Sequence, residues 1–187
     1  MSALIIIILL VFLLLAALQD LRSYRISNNL IVSGVLFGVL LNIAVPSEMG
    51  GLGGLSSLIG FGVGLGLLLP MYLLRVMGAG DVKLMAMVGA FLGPQAIMVT
   101  LLYVLVAGGA LSICVAMYRG VLKKLFYSTQ IILVEFRTNL FTPKSKRLPN
   151  ALSFAGVTQD AAAKMPYGVA IAVGTAAFLA VNQLPML

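Results

Sequence analysis

Residues 78–118 read GAGDVKLMAMVGAFLGPQAIMVTLLYVLVAGGALSICVAMY. From Leu84 to Tyr118 no residue is charged. At ~1.5 Å per residue, one straight helix over that run would be about 52 Å long, against ~30 Å of hydrocarbon in a bilayer. The run must therefore be two segments. Gly93-Pro94 is the natural break, since proline disfavours helical geometry in the residue before it and glycine tolerates the turn. Gln95 to Tyr118 then makes one crossing, while Leu84 to Leu92 is too short and must borrow residues upstream. That draws Asp81, and Gly78 with it, to the head of a helix at the edge of the membrane.

Working outward, the composition fixes the class. Hydrophobic residues make up 61% of the 187, charged residues 9%, and the mean hydropathy is +1.14, far outside the soluble globular range. Uncharged stretches also run from Ser2 to Gln19, Ile26 to Ser47, Met49 to Leu74 and Met165 to Leu187, each near or above the ~18 residues of a membrane span. The expectation is an all-α polytopic membrane protein, a bundle of six transmembrane helices forming one membrane-embedded domain over 1–187. Within the connection at about 119–164, the uncharged run Leu125 to Val134 is flanked by Lys123, Lys124, Glu135 and Arg137 and reads as a cytoplasmic helix lying on the membrane. Residues 142–150 read as an irregular loop. Gly60, Gly62, Gly64 and Gly66 would allow close helix contact in the third span on the faces where packing matters.

Six spans place all 12 Lys and Arg residues in loops on one face: 20–25, 75–83 and 119–164. By the positive-inside rule that face is cytoplasmic, and both termini lie outside. The net charge of +7 is then topological, with anionic lipid headgroups rather than nucleic acid as the partner. The first segment has no positive residue before its apolar core and acquires Arg22 and Arg25 after it, so it reads as a retained helix rather than a cleaved signal peptide.

Absences narrow the chemistry. There is no histidine, and the single cysteine, Cys114, is placed buried in mid-span. Cys/His zinc clusters, Cys-His nucleophiles, intrachain disulfides and Ser-His-Asp triads are therefore excluded. No phosphate-binding or dinucleotide glycine motif occurs in the required context. Acid-base work falls to the five acidic residues.

Two of these, Asp20 and Asp81, map to the cytoplasmic ends of their spans and can meet on one membrane face. Paired carboxylates share a proton, so that one can activate water while the other assists a carbonyl. Gly78 and Gly80 would let an extended substrate approach. Each acid also has a plainer reading: Asp81 as a cap on its helix with Lys83 reaching the interface, Asp20 as an interfacial partner of Arg22 or Arg25. The scarcity of acids and their shared face favour the pair, because an ionisable group inside a bilayer is costly.

Gly78-Ala79-Gly80-Asp81 is a GxGD motif, and Asp20-Leu21-Arg22-Ser23-Tyr24-Arg25-Ile26-Ser27-Asn28 resembles the first aspartate motif of the type IV prepilin peptidases, aspartic proteases of bacterial inner membranes. Met165-Pro166-Tyr167-Gly168 is similar to that family's closing Pro-aromatic-Gly segment. The resemblance implies a catalytic dyad of Asp20 and Asp81 at the cytoplasmic face. Beside the dyad, Gly78, Gly80, Lys83 and Asn28 are placed as shaping the site, with Asn28 expected to cap the second helix. It implies no cofactor and no metal. Ser27 stands where many members have proline. The cysteine-rich domain of long members, which also methylate the new N-terminus, is missing, so the chain resembles the short form associated with tight-adherence (Flp) pili. The implied substrate is a prepilin or pseudopilin with a short basic leader, cleaved after a glycine, and a hydrophobic helix that stays in the bilayer. Two further readings remain open: a small transporter or channel using the aspartates for protons or a cation, and a non-catalytic assembly subunit.

Overall fold

The computed structural model describes residues 2–74, 77–118 and 167–182, and every regular element among them is helical. In chain order these are α1 (Ala3–Ser23), α2 (Asn28–Ala44), a short 3₁₀ turn (Ser47–Met49), α3 (Gly54–Leu73), α4 (Ala79–Tyr118) and α5 (Tyr167–Asn182). Three are long and apolar enough to cross a membrane: α1, α3 and α4 over Ala79–Val115. The other two are apolar and shorter. The expected surface helix at Leu125 to Val134, the 142–150 loop and the Met165-Pro166 pair lie outside the described residues. By its internal contacts the chain divides into two compact units, residues 1–108 with 164–187, and residues 109–163.

The first arm of α4, residues 79–92, is the core of the first unit. Val82 and every residue from Leu84 to Leu92 are buried, and α1, α2 and α3 each pack on it. α2 meets it through small residues: a Cβ on Gly34 would run into the Met87 side chain, and one on Gly38 would lie 3.0 Å from the Phe91 ring. α1 contributes Phe12, whose ring centroid is 6.2 Å from that of Phe91. On α3, Gly60 lies against the backbone of Gly89 and Gly93, and Gly64 lies 2.6 Å in Cβ terms from the Met85 carbonyl oxygen, whereas a Cβ on Gly62 or Gly66 would meet nothing within 4 Å among the described residues. Residues four apart share a helix face, and the face carrying Gly60 and Gly64 is the one packed against α4.

α4 breaks where segment length requires it. Gly93 takes φ 78, ψ 175, a conformation essentially closed to residues with a side chain. The next residue, Pro94, has no N–H, so the Ala90 carbonyl loses the donor that a continuous helix would supply. Water cannot replace that donor inside a membrane, and side chains from other helices take its place. The buried Asn42 amide donates to the carbonyls of Ala90 (3.1 Å) and Phe91 (3.2 Å), and Ser57 Oγ also donates to Ala90. Asn42 in turn accepts the Leu52 N–H on Oδ1 (3.2 Å) and the Gly53 N–H on its backbone oxygen (3.1 Å), fixing the α2–α3 connection against the break. Further along, residues 109–118 belong to the second unit. Cys114 is exposed there, not buried as expected, because its helix face meets no neighbour among the described residues.

Candidate active site

The end of the first unit opposite the Gly93 break gathers the residues singled out from the sequence. α1 ends in a left-handed turn at Tyr24 (φ 51), whose N–H donates to the Asp20 carbonyl, a helix stop usually made by glycine. The Gln19 side chain accepts the Ser27 N–H at 3.0 Å and so holds the turn that leads into α2. Asp20 is thereby fixed in the last turn of α1, only 5% exposed. Its Oδ2 accepts the Gly168 N–H at 2.7 Å, and the Val169 N–H also bonds the carboxylate. The first amides of α5 thus receive the acid, an arrangement that suits an anion at a helix N-terminus. Gly168 is required there, because a Cβ would sit 2.8 Å from Oδ2.

Asp81 lies in the first turn of α4, half-buried. The Gly78 carbonyl accepts the N–H groups of Asp81 and Val82 (3.2 and 3.5 Å), while the Gly78 N–H bonds back to the Asp81 carboxylate. This reciprocal pair is a capping interaction, so the plain reading of Asp81 as a helix cap is correct as far as it goes. The same carboxylate is within electrostatic reach of Asp20, 61 positions earlier in the chain. Capping fixes where the second acid stands, and burial of α4 beside α1 brings the first acid to it.

The remaining candidates divide. Gly78 is exposed and borders the Asp81 carboxylate, with a Cβ position 3.3 Å from Oδ2. A Cβ on Gly80 would meet Ile26 instead, at ordinary contact distances of 3.7–3.8 Å. Lys83 Nζ donates to Asn28 Oδ1 at 3.0 Å, joining the heads of α4 and α2. Asn28, expected to cap α2, is instead its first residue, because Ser27 takes the cap position without a side-chain bond and the Asn28 oxygen is held by Lys83. The sequence marks Gly168 only as part of a closing segment and does not reveal its bond to Asp20. A contact spanning 148 positions leaves no local signature. Among the described residues no group of three or more His, Cys, Asp or Glu side chains could hold a metal ion.

Two carboxylates, one anchored by helix amides and the other by a cap, with a glycine edge beside them, can perform general acid-base hydrolysis. Residues 7–113 match the model of the type IV leader peptidase family, a stretch that contains both Asp20 and Asp81. No curated protein and no solved structure matches the chain. With more than half of its length matched, in a helical fold with three helices able to cross a membrane, this chain belongs to the type IV leader peptidase family.

Proposed function

We propose that the chain is an aspartic endopeptidase that removes the leader of type IV prepilins or pseudopilins, in its short form those of Flp-type pili, at the cytoplasmic face of a bacterial inner membrane. The observation that carries this reading is the convergence of Asp20 and Asp81 at one end of the helices, in a chain with five acidic residues in all. The ionised carboxylate takes a proton from water as the water oxygen attacks the scissile carbonyl carbon, and the protonated one donates to the carbonyl oxygen. Collapse of the tetrahedral intermediate expels the amine, which leaves with the proton first taken from water. Neither a metal nor a covalent enzyme intermediate is needed. Gly78 offers a side-chain-free edge beside Asp81 along which an extended leader can lie. In this reading the bundle crosses the membrane six times as one domain, with both termini outside.

Co-expression with a Flp-type prepilin tests the assignment. The wild-type chain should convert the precursor to a shorter pilin, and Asp20→Asn and Asp81→Asn should each abolish conversion while the protein still accumulates in the membrane. Continued leader removal by either variant would refute the dyad. Failure of the wild type to cleave any pilin-like substrate would refute the peptidase reading itself.

A further inference from the structure

A groove of about 520 Å³ runs along α2 from Asn28 to Leu36, walled on the other side by Leu65 of α3 and closed at one end by Lys83. Its volume is that of a ligand site, typically ~300–1,000 Å³. Most of its lining is aliphatic, and Val32 and Leu36 are 58% and 57% exposed, so in a membrane the trough opens to hydrocarbon. Its closed end is different. Lys83 is exposed and gives one of its three N–H donors to the neutral Asn28 oxygen, which among the described residues leaves two of its own and the two of the Asn28 amide for another acceptor. α2 has no acidic residue in its first turn, and its positive dipole end lies there too. Asp81, two residues before Lys83, points about 200° away around α4.

We propose that this groove seats one acyl chain of an anionic phospholipid, with the lipid phosphate against Lys83 and Asn28. Charge decides the occupant: a substrate with a basic leader would set like charges together at Lys83, whereas a lipid phosphate complements it. Neither carboxylate lines the groove; only the exclusion of a basic leader rests on the proposed function.

The test uses the full chain in detergent, titrated with phosphatidylglycerol or phosphatidylcholine of matched acyl chains, with retained lipid counted by native mass spectrometry. Phosphatidylglycerol should be held about fivefold more tightly. Lys83→Gln should erase that preference and Lys83→Arg keep it. Arg22→Gln, a charge outside the groove, should also keep it. Val35→Phe, which fills the trough, should lower retention of both lipids, and inorganic phosphate should displace neither. Equal retention by the wild type, or a loss in Arg22→Gln equal to that in Lys83→Gln, would overturn the proposal. So would displacement by inorganic phosphate, or capture of a co-reconstituted prepilin instead of lipid by a photo-crosslinker at position 32.

Discussion

Gly168 matters for the side chain it lacks. The volume that a Cβ would take at that position belongs to Asp20, whose Oδ2 would lie 2.8 Å away. The matching distance is 3.3 Å from Gly78 to Asp81 Oδ2, and at Gly80 the nearest atom, from Ile26, is 3.7 Å off. If Asp20 and Asp81 hydrolyse the leader, these distances rank three alanine substitutions. Gly168→Ala has to displace a catalytic carboxylate, and a misplacement of ~1 Å costs about 100-fold in rate. Gly78→Ala should cost less, because its neighbour can yield by a few tenths of an ångström at an exposed position, and Gly80→Ala least. Initial rates of leader removal, normalised to the amount of folded protein in the membrane, check the order. A Gly80→Ala defect equal to that of Gly168→Ala would show that contact with the carboxylates does not govern these glycines. Sequence reading weighted Gly78 and Gly80 together because they share one motif. The structure separates them, since a helix head turns successive residues towards different neighbours.

At the scale of elements, the break in α4 combines two kinds of information. Its position could be read from the length of the uncharged run and from Gly93-Pro94. Its support could not, although a partial signal existed: a proline at 94 frees the carbonyl at 90, and some polar side chain in another apolar run must satisfy it. Asn42 and Ser57 are such residues, yet only the packed structure says that they reach Ala90. Asn42→Leu removes donors from two carbonyls and should lower stability by about 2–3 kcal/mol, and Ser57→Ala by about 1 kcal/mol. Unfolding in rising mole fractions of SDS, followed by helical circular dichroism, measures both, and unchanged midpoints would refute the account of the break. The α3 glycines give a paired contrast by the same assay. Gly60→Ala forces apart backbones that touch at Gly89 and should cost about 1–3 kcal/mol. Gly62→Ala meets nothing within 4 Å among the described residues and should be neutral or stabilising by up to ~1 kcal/mol, the helix preference of alanine over glycine. A two-residue glycine spacing is blind to this difference, because it alternates between faces and only the partner helix selects one.

At the scale of the molecule, the helical class and the gathering of Asp20, Asn28, Asp81 and Lys83 at one end followed from composition, span lengths and charge placement, which are additive along the chain. The contacts that complete that end, Gly168 on Asp20 and Lys83 on Asn28, depend on which helices become neighbours, and hydropathy carries no such information. The ends of the first unit also differ in charge. Arg22, Arg25 and Lys83 stand at the carboxylate end, while the exposed 3₁₀ turn with Glu48 stands at the other. Because basic residues are retained on the cytoplasmic side, the proposed dyad should face the cytoplasm, where a leader peptidase meets a precursor before export of its remainder. Single cysteines in a Cys114→Ser background decide the orientation. Glu48→Cys should react with a membrane-impermeant thiol reagent added to intact spheroplasts. Asn29→Cys, in the exposed first turn of α2, should react only after permeabilisation. The opposite pattern would put both aspartates outside, beyond the reach of a cytoplasmic leader, and cleavage at the inner face would then be untenable even if both carboxylates proved essential.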